Sequence, residues 1–204
     1  MPDGPAVGER ELGATVLDFG MPSGSVAMPR LTLEQFNTQP DTKPASEYVC
    51  GRVYQKPMPR TEHAAIQLYF GVILFPFLAR TGLGRALSEL RCIFGPPGNQ
   101  RTYVPDMCVV AQMPREPYLY RAPDLAIEIL SPDHHRALFL DKIQFYLLNG
   151  VRLIWIVDPE TRTIAVEAPA TEGQVLGEGD MLDGGDVLPG FGVAVDDIFA
   201  QMDR

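Results

Sequence analysis

"PDLAIEILSPDHHRALFLDKIQFYLLNGVRLIWIVD", from Pro123 to Asp158, decides the architecture. "PDLAIEIL" reads as a short buried strand, bounded by prolines and rich in Leu and Ile. "SPDHH" ends the strand and opens a helix, "RALFLDKIQFYLLN", which Gly150 closes as a C-terminal cap. "RLIWIVD" is again a strand. A helical connection between two strands of one sheet makes a right-handed crossover and sets the strands parallel. One residue does not suit this plan. Glu128 sits in the middle of a segment that otherwise wants to be buried.

Upstream, "RALSELRCIF" fits a strand, "GPPGN" a turn and "TYVPDMCVV" a second strand. Residues 61–80 carry apolar residues at helical spacing, with Ala64, Leu68, Val72 and Phe75 on one face; Pro76 is expected to kink or end that helix. "SEYVCGRVYQKP" predicts a hairpin turning near Gly51 and stopped by Pro57. In "LTLEQF", Thr32 and Gln35 have the spacing of a helix N-cap with a capping box. Downstream, "PETRT" turns the chain into a hairpin partner, "TIAVEA", and the tail mixes turns with short strands. The order helix, three strands, helix, strand implies an α/β fold with a mixed sheet, flanked by helices and carrying extra β-hairpins. Residues 1–30 are rich in Gly, Pro and Ser without period and read as a flexible N-terminal extension. Residues 31–204 read as a single domain with an acidic C-terminal part.

The formal net charge is −9, but it is unevenly placed. From Asp158 to Arg204 there are 11 acidic and 2 basic residues, whereas Arg52 to Val157 holds 12 basic and 8 acidic. A basic middle leaves room for an anionic partner that the overall charge would discourage; a solvated acidic face with no partner explains the tail equally well. No apolar run approaches the roughly 20 residues of a membrane span, so no membrane partner is expected. The N-terminus lacks the basic start and apolar stretch of a secretory signal. Cys50, Cys92 and Cys108 form no C-x-x-C pair and read as free thiols in a reducing, cytoplasmic setting.

On a strand, residues two apart share a face, so Ala126, Glu128 and Leu130 line one side. A lone ionised carboxylate there costs several kcal/mol unless it is paired or bound to a cation. The preceding strand carries a similar oddity, Asp106. Two carboxylates on neighbouring strands repel each other and invite a hard divalent cation, which takes oxygen ligands. The competing expectation is that each acid pairs with an arginine at a strand end. Lys142 lies on the following helix beside Phe139, Ile143 and Tyr146, and its stem is long enough to bring an ammonium back to the carboxylates. Two acids, a metal ion and a lysine form a working set for phosphodiester hydrolysis. The adjacent His134 and His135 read as surface residues at the helix entry, and Trp155 as core. Neither a phosphate-binding Gly-Lys-Ser/Thr loop nor a nucleophile elbow is present.

"VPD", "PDLAIEILSP" and "DKIQFYLLNGVRLIWIVDP", in that order, resemble the Uma family of restriction endonucleases, within the PD-(D/E)XK nuclease superfamily. "LTLEQF", "EYVCGRV", His63 opening a long helix, "GLGRA" and "LPGFGVAVDDIF" extend the resemblance over residues 31–199. It implies a restriction-endonuclease-like core and a Mg²⁺- or Mn²⁺-dependent endonuclease acting on DNA. Asp106 matches the motif aspartate and Glu128 the motif glutamate, and with the carbonyl of Ile129 they would hold the metal. The usual signature places a lysine two positions after the glutamate; here that position is Leu130, and the resemblance implies that Lys142 takes over from the helix. Glu47 and His63 match family positions near the site. Cys50 stands where the family tends to have Asp, and "SPDHHRALFL" is less basic than usual, which bears on substrate contacts. Arg52, Arg60, Arg85 and Arg101 are candidates for phosphate contact. Cutting two strands implies a homodimer. The missing in-strand lysine and the acidic balance equally suit a catalytically inactive binding module on the same fold.

Overall fold

The computed structural model describes residues 30–132 and 135–203. The flexible extension expected for residues 1–30, apart from Arg30, and the surface placement expected of His134 lie outside the described residues.

Thr32 caps a short helix, α1 (Leu33–Asn37), and the reciprocal bonds with Gln35 form the expected capping box. The hairpin follows as β1 (Ser46–Val49) and β2 (Arg52–Gln55), paired antiparallel. Its turn places Cys50 and Gly51 at positive φ. Helix α2 (Thr61–Thr81) runs through Pro76 rather than ending there and closes on Gly82 in the left-handed conformation. Pro76 removes one backbone N–H, and the remaining turns hold the helix.

Two stretches read as single strands are each divided between two sheets. "RALSELRCIF" becomes β3 (Arg85–Ser88) and β4 (Cys92–Phe94), broken at Glu89, whose φ is 50°. "TYVPDMCVV" becomes β5 (Arg101–Tyr103) and β6 (Met107–Val110), broken at the Val104–Pro105–Asp106 corner. A proline cannot donate to a ladder, so the chain leaves one sheet there and enters the next. Strand β7 (Leu125–Ile129), helix α3 (Arg136–Leu148) and β8 (Leu153–Asp158) complete the deciding stretch, and β7 and β8 pair in parallel. Strand β9 (Thr163–Glu167) returns antiparallel to β8 as the predicted hairpin. The tail adds β10 (Gln174–Leu176), β11 (Met181–Gly184), β12 (Leu188–Ala194) and α4 (Val195–Phe199).

The main sheet has the order β10-β9-β8-β7-β6-β3, and a second sheet runs β2-β1-β5-β4. Strand β7 is central and buried along its whole length. Its alternation divides the core. Leu125, Ile127 and Ile129 pack with Phe70, Leu74 and Trp155 beneath α2. Ala126, with Ile154 from β8, packs on the other face with Phe145 and Tyr146 of α3. Glu128 therefore points to the α3 side, between the main sheet and the second one.

Ala64, Leu68, Val72 and Phe75 do share a face of α2, but it is the exposed one. The face against the sheet is His63, Ile66, Phe70, Leu74, Phe77 and Leu78. By length and composition alone α2 also reaches what a membrane span needs, with a mean hydropathy of 1.5, contrary to the expectation that no apolar run comes close. Both stripes are apolar: one covers the core, and the other lies open among the described residues.

Candidate active site

Five side chains singled out by sequence, from five elements or their edges, meet in one cavity of about 630 Å³ between the two sheets and α3. Asp106 stands at the corner leading into β6. Because Met107 pairs with Ile127 antiparallel, Asp106 comes opposite Glu128. Its Oδ2 accepts the backbone N–H of Ile129 at 2.7 Å, which ties the corner to β7. Its Oδ1 receives the Lys56 ammonium at 2.5 Å and lies 3.3 Å from Nε2 of His63, on the first turn of α2. Burial opposes ionisation of Asp106, but Lys56 and His63 outweigh it and hold the carboxyl well below the usual range. Nδ1 of His63 is buried without a hydrogen-bond partner among the described residues.

Glu128 is 4% exposed, and its Oε1 lies 2.8 Å from Lys142 Nζ and accepts the Tyr146 hydroxyl at 2.8 Å. Lys142 and Tyr146 are one helical turn apart, so α3 aims both at the same strand residue. Lys142 Nζ also reaches Glu47 Oε1 on β1, at 2.8 Å. That same oxygen accepts the Val104 N–H at 3.0 Å. Burial opposes the charge on Lys142, yet Glu128 and Glu47 outweigh it and raise the ammonium above the ordinary lysine value. Burial raises the Glu128 carboxyl; Lys142 and Lys56 pull against that, and Asp106 and Glu47 add to it. Tyr146 is raised by burial beside the same carboxylates.

Among the described residues, the two acids find partners in lysines, a histidine and a tyrosine, where the competing expectation was an arginine for each. Of the arginines considered for phosphate contact, Arg101 is committed elsewhere, at 2.5 Å from Asp141 and stacked over Phe145. Arg52 and Arg85 are exposed.

Sequence reasoning missed Lys56 and gave Tyr146 only a packing role. A signal for Lys56 was available in the predicted hairpin. Glu47 pairs with Tyr54, so Lys56, two residues further, lies on the same face as Glu47. No signal could show that the hairpin sheet would close over the Asp106 corner, because that contact joins residues 50 apart in sequence.

The oxygen chemistry of Asp106 and Glu128 suits a hard divalent ion, and a cation already lies against Asp106 in the form of the Lys56 ammonium. Among the described residues, no group of three His, Cys, Asp or Glu side chains converges as a ready ligand set.

The family model described as "Putative restriction endonuclease", Uma2, matches residues 33–196. The chain belongs to the Uma2 family. A solved structure described as a putative nuclease belonging to DUF820, from Anabaena variabilis ATCC 29413, shares 32% sequence identity with it, at a TM-score of 0.77. The match covers 84% of this chain and 99% of that one. No curated protein shows significant similarity. Uma2 membership and this likeness make the fold that of a restriction-endonuclease-like nuclease, as the order of elements around Glu128 implied.

Proposed function

We propose that this Uma2-family chain is a Mg²⁺- or Mn²⁺-dependent endonuclease that hydrolyses DNA phosphodiester bonds at the Asp106–Glu128–Lys142 site. The observation that carries it is the convergence on one cavity of two carboxylates from adjacent strands and an ammonium 2.8 Å from the second. Asp106, Glu128 and the Ile129 carbonyl would hold the ion. When bound, it supplies Lewis-acid polarisation of the phosphate and of the attacking water.

The chain's own groups do the rest. Lys142 is favoured in its ammonium form, against its burial, by Glu128 and Glu47. Its role is to orient that water and to offset the negative charge that grows on the phosphate. Glu47 and Tyr146 fix where Lys142 and Glu128 point, through the bonds given above. His63 steadies Asp106 from the far side. Cleaving a duplex takes two such centres, and we assign the enzyme as a homodimer. The free thiols Cys50, Cys92 and Cys108 suit a reducing cytoplasm.

A second reading is a binding module that kept the fold and lost the chemistry. The protein donors already on both Asp106 oxygens favour it. Plasmid cleavage separates the two. Wild-type protein with Mn²⁺ or Mg²⁺ should nick or linearise supercoiled DNA, chelator should stop it, and Glu128→Gln and Lys142→Met should each lower the rate at least about a hundredfold. Activity that survives Glu128→Gln unchanged would place the chemistry elsewhere or in a contaminant. No cleavage by wild type, with either ion, would favour the binding module.

A further inference from the structure

Lys56 has no part in the hydrolytic scheme, yet it makes one of the shortest polar contacts in the site. It follows β2 directly, and its own N–H donates to the Ala45 carbonyl at 2.9 Å, continuing the hairpin ladder by one residue. Pro57 comes next and leads the chain away, which fixes the Lys56 backbone at the cavity rim. Its ammonium donates to the Val104 carbonyl at 2.7 Å and to Asp106 Oδ1 at 2.5 Å. The side chain keeps 16% of its surface open to the cavity, while the Asp106 carboxyl keeps 3%.

We propose that Lys56 is a tethered cation that holds the place of the divalent ion on Asp106, so that metal binding requires its ammonium to leave that carboxylate. This rests on the metal-dependent reading of the site. The physics is a competition. A divalent ion binds a carboxylate through oxygen lone pairs, and a lysine ammonium spends the same lone pairs on N–H donors. Oδ2 gives one lone pair to the Ile129 amide, and that bond shapes the corner. An ion joining Asp106 would sit against the Lys56 ammonium on Oδ1, which Nε2 of His63 also approaches at 3.3 Å, and the two cations repel each other across a buried carboxylate. Lys56 has an exit that Lys142 lacks. Lys142 is clamped between two glutamates and 7% exposed, whereas Lys56 has one carboxylate partner among the described residues and lines the cavity. On leaving Asp106 its ammonium stays within the cavity, where an anionic phosphate would be its next partner. In the apo state it neutralises a buried carboxylate that would otherwise be costly to keep charged. Lys56 thus acts as a positioning residue: it lowers metal affinity and frees a cation for the substrate at the moment the ion binds.

The chain has three lysines, Lys43, Lys56 and Lys142, which makes the test direct. Wild-type protein is labelled with an amine-reactive acetylating reagent, with and without Mn²⁺, and each lysine is followed by mass spectrometry. Lys43 is exposed and serves as the reference; Lys142 is buried. The rate at Lys56 relative to Lys43 should rise several-fold at Mn²⁺ concentrations that calorimetry shows to saturate the protein. In the same calorimeter Lys56→Met should bind Mn²⁺ at least tenfold more tightly than wild type, and Asp106→Asn should abolish binding to both backgrounds. Saturable, Asp106-dependent binding with Lys56 labelling unchanged would overturn the role of Lys56 and leave the metal site standing. Absence of Mn²⁺ binding in both wild type and Lys56→Met would overturn the role of Lys56 and the metal-dependent reading together. The labelling arm uses the native chain, so a poorly folding Lys56→Met would not rescue the proposal.

Discussion

Glu128 and Lys142 join the stability of the fold to the proposed chemistry. Lys142→Met leaves the buried Glu128 and the partly buried Glu47 without the ammonium between them and should destabilise the protein by roughly 3–5 kcal/mol in urea unfolding. Adding Glu128→Gln should recover part of that loss, since the double variant buries one carboxylate fewer; purely additive costs would show that the two side chains are not coupled. Tyr146→Phe removes one hydrogen bond to Glu128 and should cost about 1 kcal/mol. Asp106 predicts a pH dependence. Its carboxyl titrates lower in the folded protein than in the unfolded chain, so its stabilising contribution is complete above about pH 4 and lost as the pH falls towards its folded value. Asp106→Asn should therefore be less stable at neutral pH but show a shallower loss of stability on acidification. An equally steep acid limb in both proteins would mean that another group controls it. At this scale the sequence marked both acids as out of place, because a carboxylate in an apolar strand is visible by composition. It did not mark Lys56, because a lysine at the end of a half-exposed hairpin looks like any surface lysine.

The elements were legible where local chemistry decides them. The capping box at Thr32, the turn at Gly51, the α3 crossover and the hairpin after Asp158 all follow from short-range signals. The two misread strands fail for a common reason. In each, a break of three residues passes the chain from one sheet to another, and an apolar run on either side hides it. The turn before β3 shows how tightly such junctions are built. Gly84 has a φ of +144°, and a Cβ there would fall 2.4 Å from the Val110 carbonyl oxygen. Gly84→Ala should lower stability by about 3 kcal/mol and loosen the edge pairing of β3 with β6, seen as faster amide exchange along residues 85–88. Slow exchange retained there would show that the close approach is easily relaxed.

For the whole molecule the outer face of α2 stands out. Leu68, Val72 and Phe75 are each more than 60% exposed and lie along one side of a long helix. Apolar stripes of this kind mark contact surfaces more often than bare solvent. The proposed homodimer gives the stripe an occupant, a second α2 packed against it. Sedimentation should then show a dimer for wild type, and Leu68→Glu with Phe75→Glu should yield a monomer with an unchanged circular dichroism spectrum. A monomeric wild type would remove the dimer from the functional proposal. Charge also acts at this scale. The acidic excess lies after Asp158, whereas Asp106, Glu128 and Lys142 all come before it. The net charge of the chain therefore says little about what its cavity will accept.

The sequence by itself determined the parallel β7–α3–β8 unit, the face of β7 on which Glu128 sits, and the reach of Lys142 towards it. Each of these follows from a periodicity, two residues per strand repeat or 3.6 per helical turn, acting over short distances along the chain. Only the tertiary structure decided which face of α2 was core, that the hairpin sheet closes over the Asp106 corner, and that Lys56 rather than an arginine neutralises that aspartate. These depend on pairings between residues far apart in the chain. There burial and charge compensation select one arrangement from several that local preference leaves equal.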